Sequence, residues 1–275
     1  MGVQVSYYIQ RPNNKYSIFH FPYNYRQRKN RMEKVTIIMA MAAEAKPLID
    51  SLKLQKKEKP FQPGIPFDLY QGALESLQVS VMVSGIDPVY QVDNVATVPA
   101  TLMSYLAVDH LQPEILINAG TAGGISQHGC QIGDVYLSSD NFCFHDRRIA
   151  FPGFDHYGMG KYPSMDTSAM AATLGLKMGA VSTGNSLDLL DIDREIIASN
   201  QCIIKDMEAA AIAWVCQSLS VPMFAIKAIT DLIDSKVSTE TQFIDNLKLA
   251  TINLQEKTEA VLHYLDENKS PGRVI

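Results

Sequence analysis

The sequence predicts an α/β fold: a single domain with a central mixed β-sheet flanked by helices. Three observations carry this. Short β-branched runs recur along the chain, separated by stretches with apolar residues at helical spacing, the alternation that builds a sheet covered by helices. The 275 residues suffice for one sizeable core and show neither an internal repeat nor a low-complexity linker. One run alternates apolar with polar residues, which suits an antiparallel strand and makes the sheet mixed.

Residues 1–31 are set apart from that domain, which we bound at 32–268 with 269–275 as a C-terminal tail. The first segment is rich in Tyr, Asn and Arg and lacks a periodic apolar pattern. Few acids and several Arg suit an organelle-targeting segment. Scarce Ser and many aromatics favour instead a basic disordered extension, or translation from a start upstream of Met32. Val35–Ala40 then reads as a buried strand by its length. MAAEAKPLIDSL follows as a helix, with Glu44 and Pro47 early, where a carboxylate and a missing N–H are tolerated.

Pro60 to Pro66 breaks the chain before two strand-like runs, Phe67–Gln71 and Val79–Val83. The alternation from Leu77 predicts a half-exposed antiparallel strand. Helical spacing covers Asp93 to Leu106. Glu114–Gly120 is a buried strand running into a GTAGG turn, and Gly133–Ser139 is another strand. His145–Pro163 is irregular and long enough for a functional or interface loop. MGAVSTGNS reads as strand then Gly turn, Asp191–Asn200 as a helix, and CIIKDMEAAAIAWVCQSL as a strand leading into an Ala-rich helix. Met223–Ile229 is a strand ending in a polar turn, and Thr239–His263 a long terminal helix capped by Thr239.

Composition excludes several function classes. The net charge is −5, yet residues 1–34 carry seven Lys and Arg against one acid, so the body of the chain is distinctly acidic. That argues against nucleic acid or an anionic membrane surface as its partner. No apolar run approaches a membrane span. Cys130, Cys143, Cys202 and Cys216 lack C-x-x-C or finger-like His spacing. With no signal peptide read, they are expected as reduced cytoplasmic thiols, small and buried.

Ligands of open α/β sheets gather beyond the C-terminal ends of the strands. Glu44, Thr121, Glu208 and Asp231 all fall there. No G-x-x-x-x-G-K-[ST] loop is present and GTAGG lacks the dinucleotide spacing. No H-E-x-x-H or His cluster calls for a metal, so neither cofactor nor metal is expected. Three carboxylates suit glycosyl transfer, where one acid protonates the leaving group, another activates water and a third holds sugar hydroxyls. Each also has a plainer reading: Glu44 and Glu208 as first-turn acids, Asp231 as a cap or turn residue, Thr121 as a turn residue.

Seven segments then occur in order: Ala40–Leu48 (AMAAEAKPL), Asn118–Gly124 (NAGTAGG), Ile132–Ser139 (IGDVYLSS), His145–Ile149 (HDRRI), Ser182–Asp188 (STGNSLD), Lys205–Ala213 (KDMEAAAIA) and Lys227–Asp234 (KAITDLID). Together they resemble the 5'-methylthioadenosine nucleosidases, the plant branch in particular, within the nucleoside phosphorylase and hydrolase superfamily. The resemblance spans Lys34 to about Leu265. It implies a nucleoside phosphorylase-like fold, a cytoplasmic homodimer, and a small nucleoside as partner. The implied reaction is hydrolysis of 5'-methylthioadenosine to adenine and 5-methylthioribose, with S-adenosylhomocysteine as a further candidate substrate.

Carried over by position, the resemblance assigns Glu44 to activating water and Asp231 to protonating adenine N7. Glu208 would bind the ribose hydroxyls, with Met207 packed on the sugar and Thr121 beside the nucleoside. Leu187 would lie against adenine, Asp188 would offer its backbone to the purine edge, and Lys205 and Asp206 would line the site. Burial and the neighbouring Glu pair are expected to raise the proton affinity of Asp231. Asn185, where the plant branch is expected to carry Asp, and Ala122, where relatives carry Cys, depart from the pattern. Two alternatives are a purine nucleoside phosphorylase, whose phosphate would be repelled by Glu44, and a storage or binding protein, which has no need of all three acids.

Overall fold

The computed structural model describes residues 33–58 and 60–268, together with the backbone of 8–9 and 17–18, in two units, 1–31 and 32–275. In the first unit β1 (Tyr8–Ile9) pairs antiparallel with β2 (Ser17–Ile18). The basic extension and the C-terminal tail otherwise lie outside the described residues.

The second unit begins with β3 (Lys34–Met39), whose last five residues are buried, and α1 (Ala42–Ser51). After β4 (Gln55–Lys56) come β5 (Asp68–Leu74) and β6 (Leu77–Val83). The half-exposure expected of β6 is not observed: only Gln78 faces solvent, because β6 is sandwiched between β3, parallel, and β5, antiparallel. Helix α2 (Thr97–Leu106) runs on into a π-turn at Ala107–Leu111. Next are β7 (Ile115–Gly124), β8 (Val135–Phe144), α3 (Phe154–Met159), β9 (Tyr162–Pro163) and α4 (Ser168–Leu174). The expected irregular loop thus holds one short helix and one short strand. Then follow β10 (Lys177–Thr183), α5 (Asp191–Ser199), β11 (Ile204–Asp206), α6 (Ala209–Leu219), β12 (Met223–Leu232) and α7 (Thr239–Glu267). The cap of α7 is Ser238, one residue before the expected Thr239; its hydroxyl accepts the Thr241 N–H at 3.3 Å.

The sheet is mixed, as the sequence predicts, in the order β11-β10-β8-β12-β7-β3-β6-β5-β4, with β9 on β8. It is not simply open. The end of β7 also pairs antiparallel with β11, Gly123 and Gly124 opposite Lys205 and Ile204, so β7, β12, β8, β10 and β11 close into a ring. GTAGG is therefore not a turn: it is the last half of β7, buried but for the half-buried Thr121. Helices α1, α4 and α7 pack on one face, through Leu48, Met170 and Leu254 among others. Helices α2 and α6 cover the other, through Met103 and Ile212. Among the described residues no helix is long and apolar enough to cross a membrane.

Candidate active site

Glu44 sits three residues into α1, where its carboxylate reaches back to accept the Met41 N–H at 3.3 Å, a capping use of a first-turn acid. It does more than cap. The side chain is buried, 4% exposed, and Oε1 accepts both the Thr121 N–H at 2.7 Å and the Thr121 hydroxyl at 2.5 Å. Gly120 makes room for it: a Cβ there would stand 3.3 Å from Oε2. Burial raises the proton affinity of Glu44, while the Thr121 hydroxyl and N–H, the Lys227 charge and the Met41 N–H pull it back.

Opposite Gly120 in the β12–β7 register stands Lys227, fully buried and paired with Asp206 at 2.7 Å. A lysine inside FAIKAIT is the signal that sequence reasoning passed over: a charge in a buried strand must have a partner. Burial works against its charge, but Asp206, Glu208 and Glu44 outweigh it and hold the proton more tightly than usual. Asp206 is expected to line the site, and both of its oxygens are engaged within the protein. Oδ1 accepts from the Thr183 hydroxyl at 2.5 Å, and Oδ2 from the Ala209 N–H at 2.9 Å as well as from Lys227. It anchors Lys227 and the start of α6.

Glu208 caps α6 in backbone position and is itself buried. Its Oε1 accepts the Ala96 N–H at 2.9 Å, at the positive end of α2. Ala96 has φ +74° and ψ −172°, a region nearly reserved for glycine, so the start of α2 is held there under strain. Burial pushes the Glu208 carboxyl up to about 7, with Asp206 and Glu44 adding to the effect and Lys227 and the Ala96 N–H opposing it. Met207, beside it, is half-buried.

Asp231 lies three positions further along β7, in register with Gly123, roughly 10 Å of extended chain from the Glu44 end. It belongs to β12 itself, where a bulge between Ile229 and Asp231 re-aims the side chain; the strand does not end at Ile229 as expected. A Cβ on Gly123 would meet Ile233 Cγ2 at 2.6 Å and Asp231 Oδ2 at 2.8 Å, so glycine gives both side chains their room. Asp231 is buried, and Oδ1 accepts the Thr230 hydroxyl at 2.8 Å. Burial raises its proton affinity, against the Thr230 hydrogen bond and the Lys205 charge. The charge acting on it is thus a cation and not the glutamate pair that was expected.

Lys205 joins Asp231 to the loop after β10. Its Nζ donates to the Ser186 and Leu187 carbonyls at 2.7 and 2.8 Å, and burial lowers its pKa against Asp231, Asp206, Asp188 and Asp193. The Leu187 and Asp188 side chains are exposed at this edge. Asn185 uses both ends of its amide. Nδ2 donates to Asp146 at 2.9 Å, while Oδ1 accepts from the Thr97 hydroxyl at 2.6 Å. An Asp here would set a second carboxylate against Asp146. Ala122 is buried in β7, its carbonyl accepting from the Thr230 hydroxyl at 3.3 Å.

The structure thus gathers Glu44, Thr121 and Glu208 around Lys227, and Asp231, Leu187 and Asp188 around Lys205, with β7 running between the two groups. Chemically this offers a buried base, a carboxylate poised near neutrality and an acid with raised proton affinity, along one strand. The chain as a whole resembles known proteins. The family profile of the phosphorylase superfamily matches residues 34–265. A 5'-methylthioadenosine nucleosidase of Arabidopsis thaliana is 39% identical over 236 residues, which are 86% of this chain and 88% of that protein. A 5'-methylthioadenosine/S-adenosylhomocysteine nucleosidase of the same plant is 37% identical over 238 residues, 86% of this chain and 93% of that one. The structure of the Arabidopsis thaliana 5'-methylthioadenosine nucleosidase in apo form superposes with a TM-score of 0.84, covering 86% of this chain and 97% of the other.

Proposed function

The chain belongs to the phosphorylase superfamily, and from that premise we propose that it is an N-glycosidic hydrolase that cleaves 5'-methylthioadenosine into adenine and 5-methylthioribose. Glu44 carries the reading. Its carboxylate is fixed by Thr121 on one oxygen and only weakly engaged on the other, which leaves a lone pair to take a proton from water. Phosphate would meet that carboxylate instead of a free cation, since Lys227 is already paired with Asp206. Water is therefore the nucleophile.

The remaining residues follow from the charge that develops. As the glycosidic bond lengthens, the sugar turns cationic and the fixed carboxylates stabilise it. Ionised Glu208 accepts from the ribose hydroxyls, with Met207 against the sugar. Adenine leaves poorly as an anion, and Asp231 delivers a proton to N7; Leu187 and Asp188 border the base. S-adenosylhomocysteine, named for one of the relatives, is the second substrate to assay. The test is adenine release. Wild-type protein should liberate adenine, and Glu44→Gln should bind nucleoside yet lose turnover by roughly 10²-fold or more, because an amide holds a water without accepting its proton. Full activity in that variant would remove Glu44 as the base, and a wild-type protein that binds nucleoside without turnover would mark a binding protein.

The functional unit in this reading is a homodimer. Val98, Leu102, Tyr105 and Trp214 on α2 and α6 are exposed, Val98 to 78%, and line an apolar groove of about 510 Å³. Phe151, Phe154 and Tyr157 are exposed as well. Contiguous apolar surface of this kind supports a protein interface, and the start of α2 that touches Glu208 would place the partner beside the site. The compartment we propose is the cytoplasm; all four cysteines are free thiols, the state a reducing setting maintains.

A further inference from the structure

Away from the reacting groups, two thiols that the reaction does not use lie in contact. Cys143, next to last in β8, and Cys202, in the turn leading into β11, bring their Sγ atoms to 3.4 Å although they are 59 positions apart in sequence. Both are buried, and both are free. Cys143 is in register with Ser182 of β10, and its Sγ lies 3.5 Å from the Ser182 hydroxyl. That hydroxyl is 3.1 Å from Nδ1 of the buried His145. Cys202 stands three residues before Lys205. Its thiol also has the Asn200 carbonyl within 3.7 Å.

We propose that Cys143 and Cys202 form a redox-active dithiol that a peroxide converts into an intramolecular disulfide. A disulfide needs an S–S distance of about 2.05 Å, so the pair must close by about 1.4 Å from its present 3.4 Å contact. The two thiols are not equivalent. The hydrogen bond from Cys202 lowers the pKa of Cys143, with Ser182 and the Lys161 charge acting the same way, against burial. That bond and burial push the Cys202 thiol up. Cys143 is therefore the attacking thiolate.

Its sulfur takes the near oxygen of hydrogen peroxide. The O–O bond breaks, hydroxide leaves and is protonated to water, and Cys143 becomes a sulfenic acid. Cys202 then attacks that sulfur, the S–O bond breaks, and a second water departs with the Cys202 proton. Two thiols and one peroxide give one disulfide and two waters. Ile125, Met159, Ala180, Leu189 and Ile197 pack around the pair, an apolar cover that favours a small uncharged oxidant over a charged disulfide such as oxidised glutathione.

The experiment treats the wild-type protein with hydrogen peroxide, blocks remaining thiols with iodoacetamide under denaturing conditions, and maps peptides by mass. The expected result is a single crosslink between the peptides of Cys143 and Cys202, a loss of about 2 Da from the whole chain, reversal by dithiothreitol, and Cys130 and Cys216 still alkylated. Cys202→Ser should stop at a sulfenic acid on Cys143 that dimedone traps. Cys143→Ser should leave Cys202 a free thiol. Over-oxidation of either cysteine without a crosslink, or both thiols alkylated after peroxide has oxidised methionines elsewhere in the chain, would overturn the proposal.

Discussion

In the proposed reaction, Asp231 is the side chain on which adenine departure rests. Asp231→Asn keeps its size and its hydrogen bond to the purine but has no proton to give. kcat should fall by ~10²–10⁴-fold while nucleoside binding survives. A substrate whose base leaves without protonation should be slowed far less; equal slowing of both would reduce Asp231 to a binding residue. Glu208 predicts the pH profile. Its carboxyl is pushed up to about 7 by burial, so it is mostly protonated, and a poor acceptor for ribose hydroxyls, below that pH. kcat/KM, which reports the free enzyme, should therefore rise as pH increases through about 7. Glu208→Gln should lower kcat/KM and abolish that limb. An acid limb near 4 in the wild type would contradict the role. Asn185 shows residue-scale logic of another kind: its donor faces Asp146 and its acceptor faces Thr97, which an amide satisfies and a carboxylate does not.

At the scale of elements, the strand pair β7–β12 sets the site, with Lys227 opposite Gly120 and Asp231 opposite Gly123. The strands themselves are legible because their side chains are buried on both faces and read as unbroken apolar runs. GTAGG is not, because Gly, Thr and Ala look like turn residues. Here they are small because Glu44, Asp231 and Cys130 press against Gly120, Gly123 and Gly124. The closure of β7 onto β11 is equally invisible, since it joins Gly124 to Ile204 across 80 positions of sequence. Lys227 was legible in principle as a charge in an apolar strand, whereas the engagement of Asp206 with Thr183 and Lys227 depends on long-range packing. Helices α2 and α6 carry their own prediction. Val98→Glu, a charge in the middle of the exposed apolar face, should convert a dimer into a monomer in light scattering. A wild-type protein that is already a fully active monomer would refute the interface.

On the scale of the whole molecule, one α/β unit holds the proposed base beside Gly120 and the proposed acid beside Gly123 of the same buried strand, with Lys227, opposite Gly120, committed to an internal ion pair. Family membership leaves the choice of nucleophile open. In the proposed reading, the buried Glu44 and the engaged Lys227 favour water. The same arrangement explains why three acids tolerate burial together: Lys227 acts on Glu44 and Glu208 and pairs with Asp206, and Lys205 acts on Asp231. The measurement that bears most directly on this account is the identity of the sugar released from 5'-methylthioadenosine, followed by mass spectrometry with and without added inorganic phosphate. The account predicts free 5-methylthioribose, formed at a rate indifferent to phosphate. A sugar 1-phosphate that appears only when phosphate is present would contradict it.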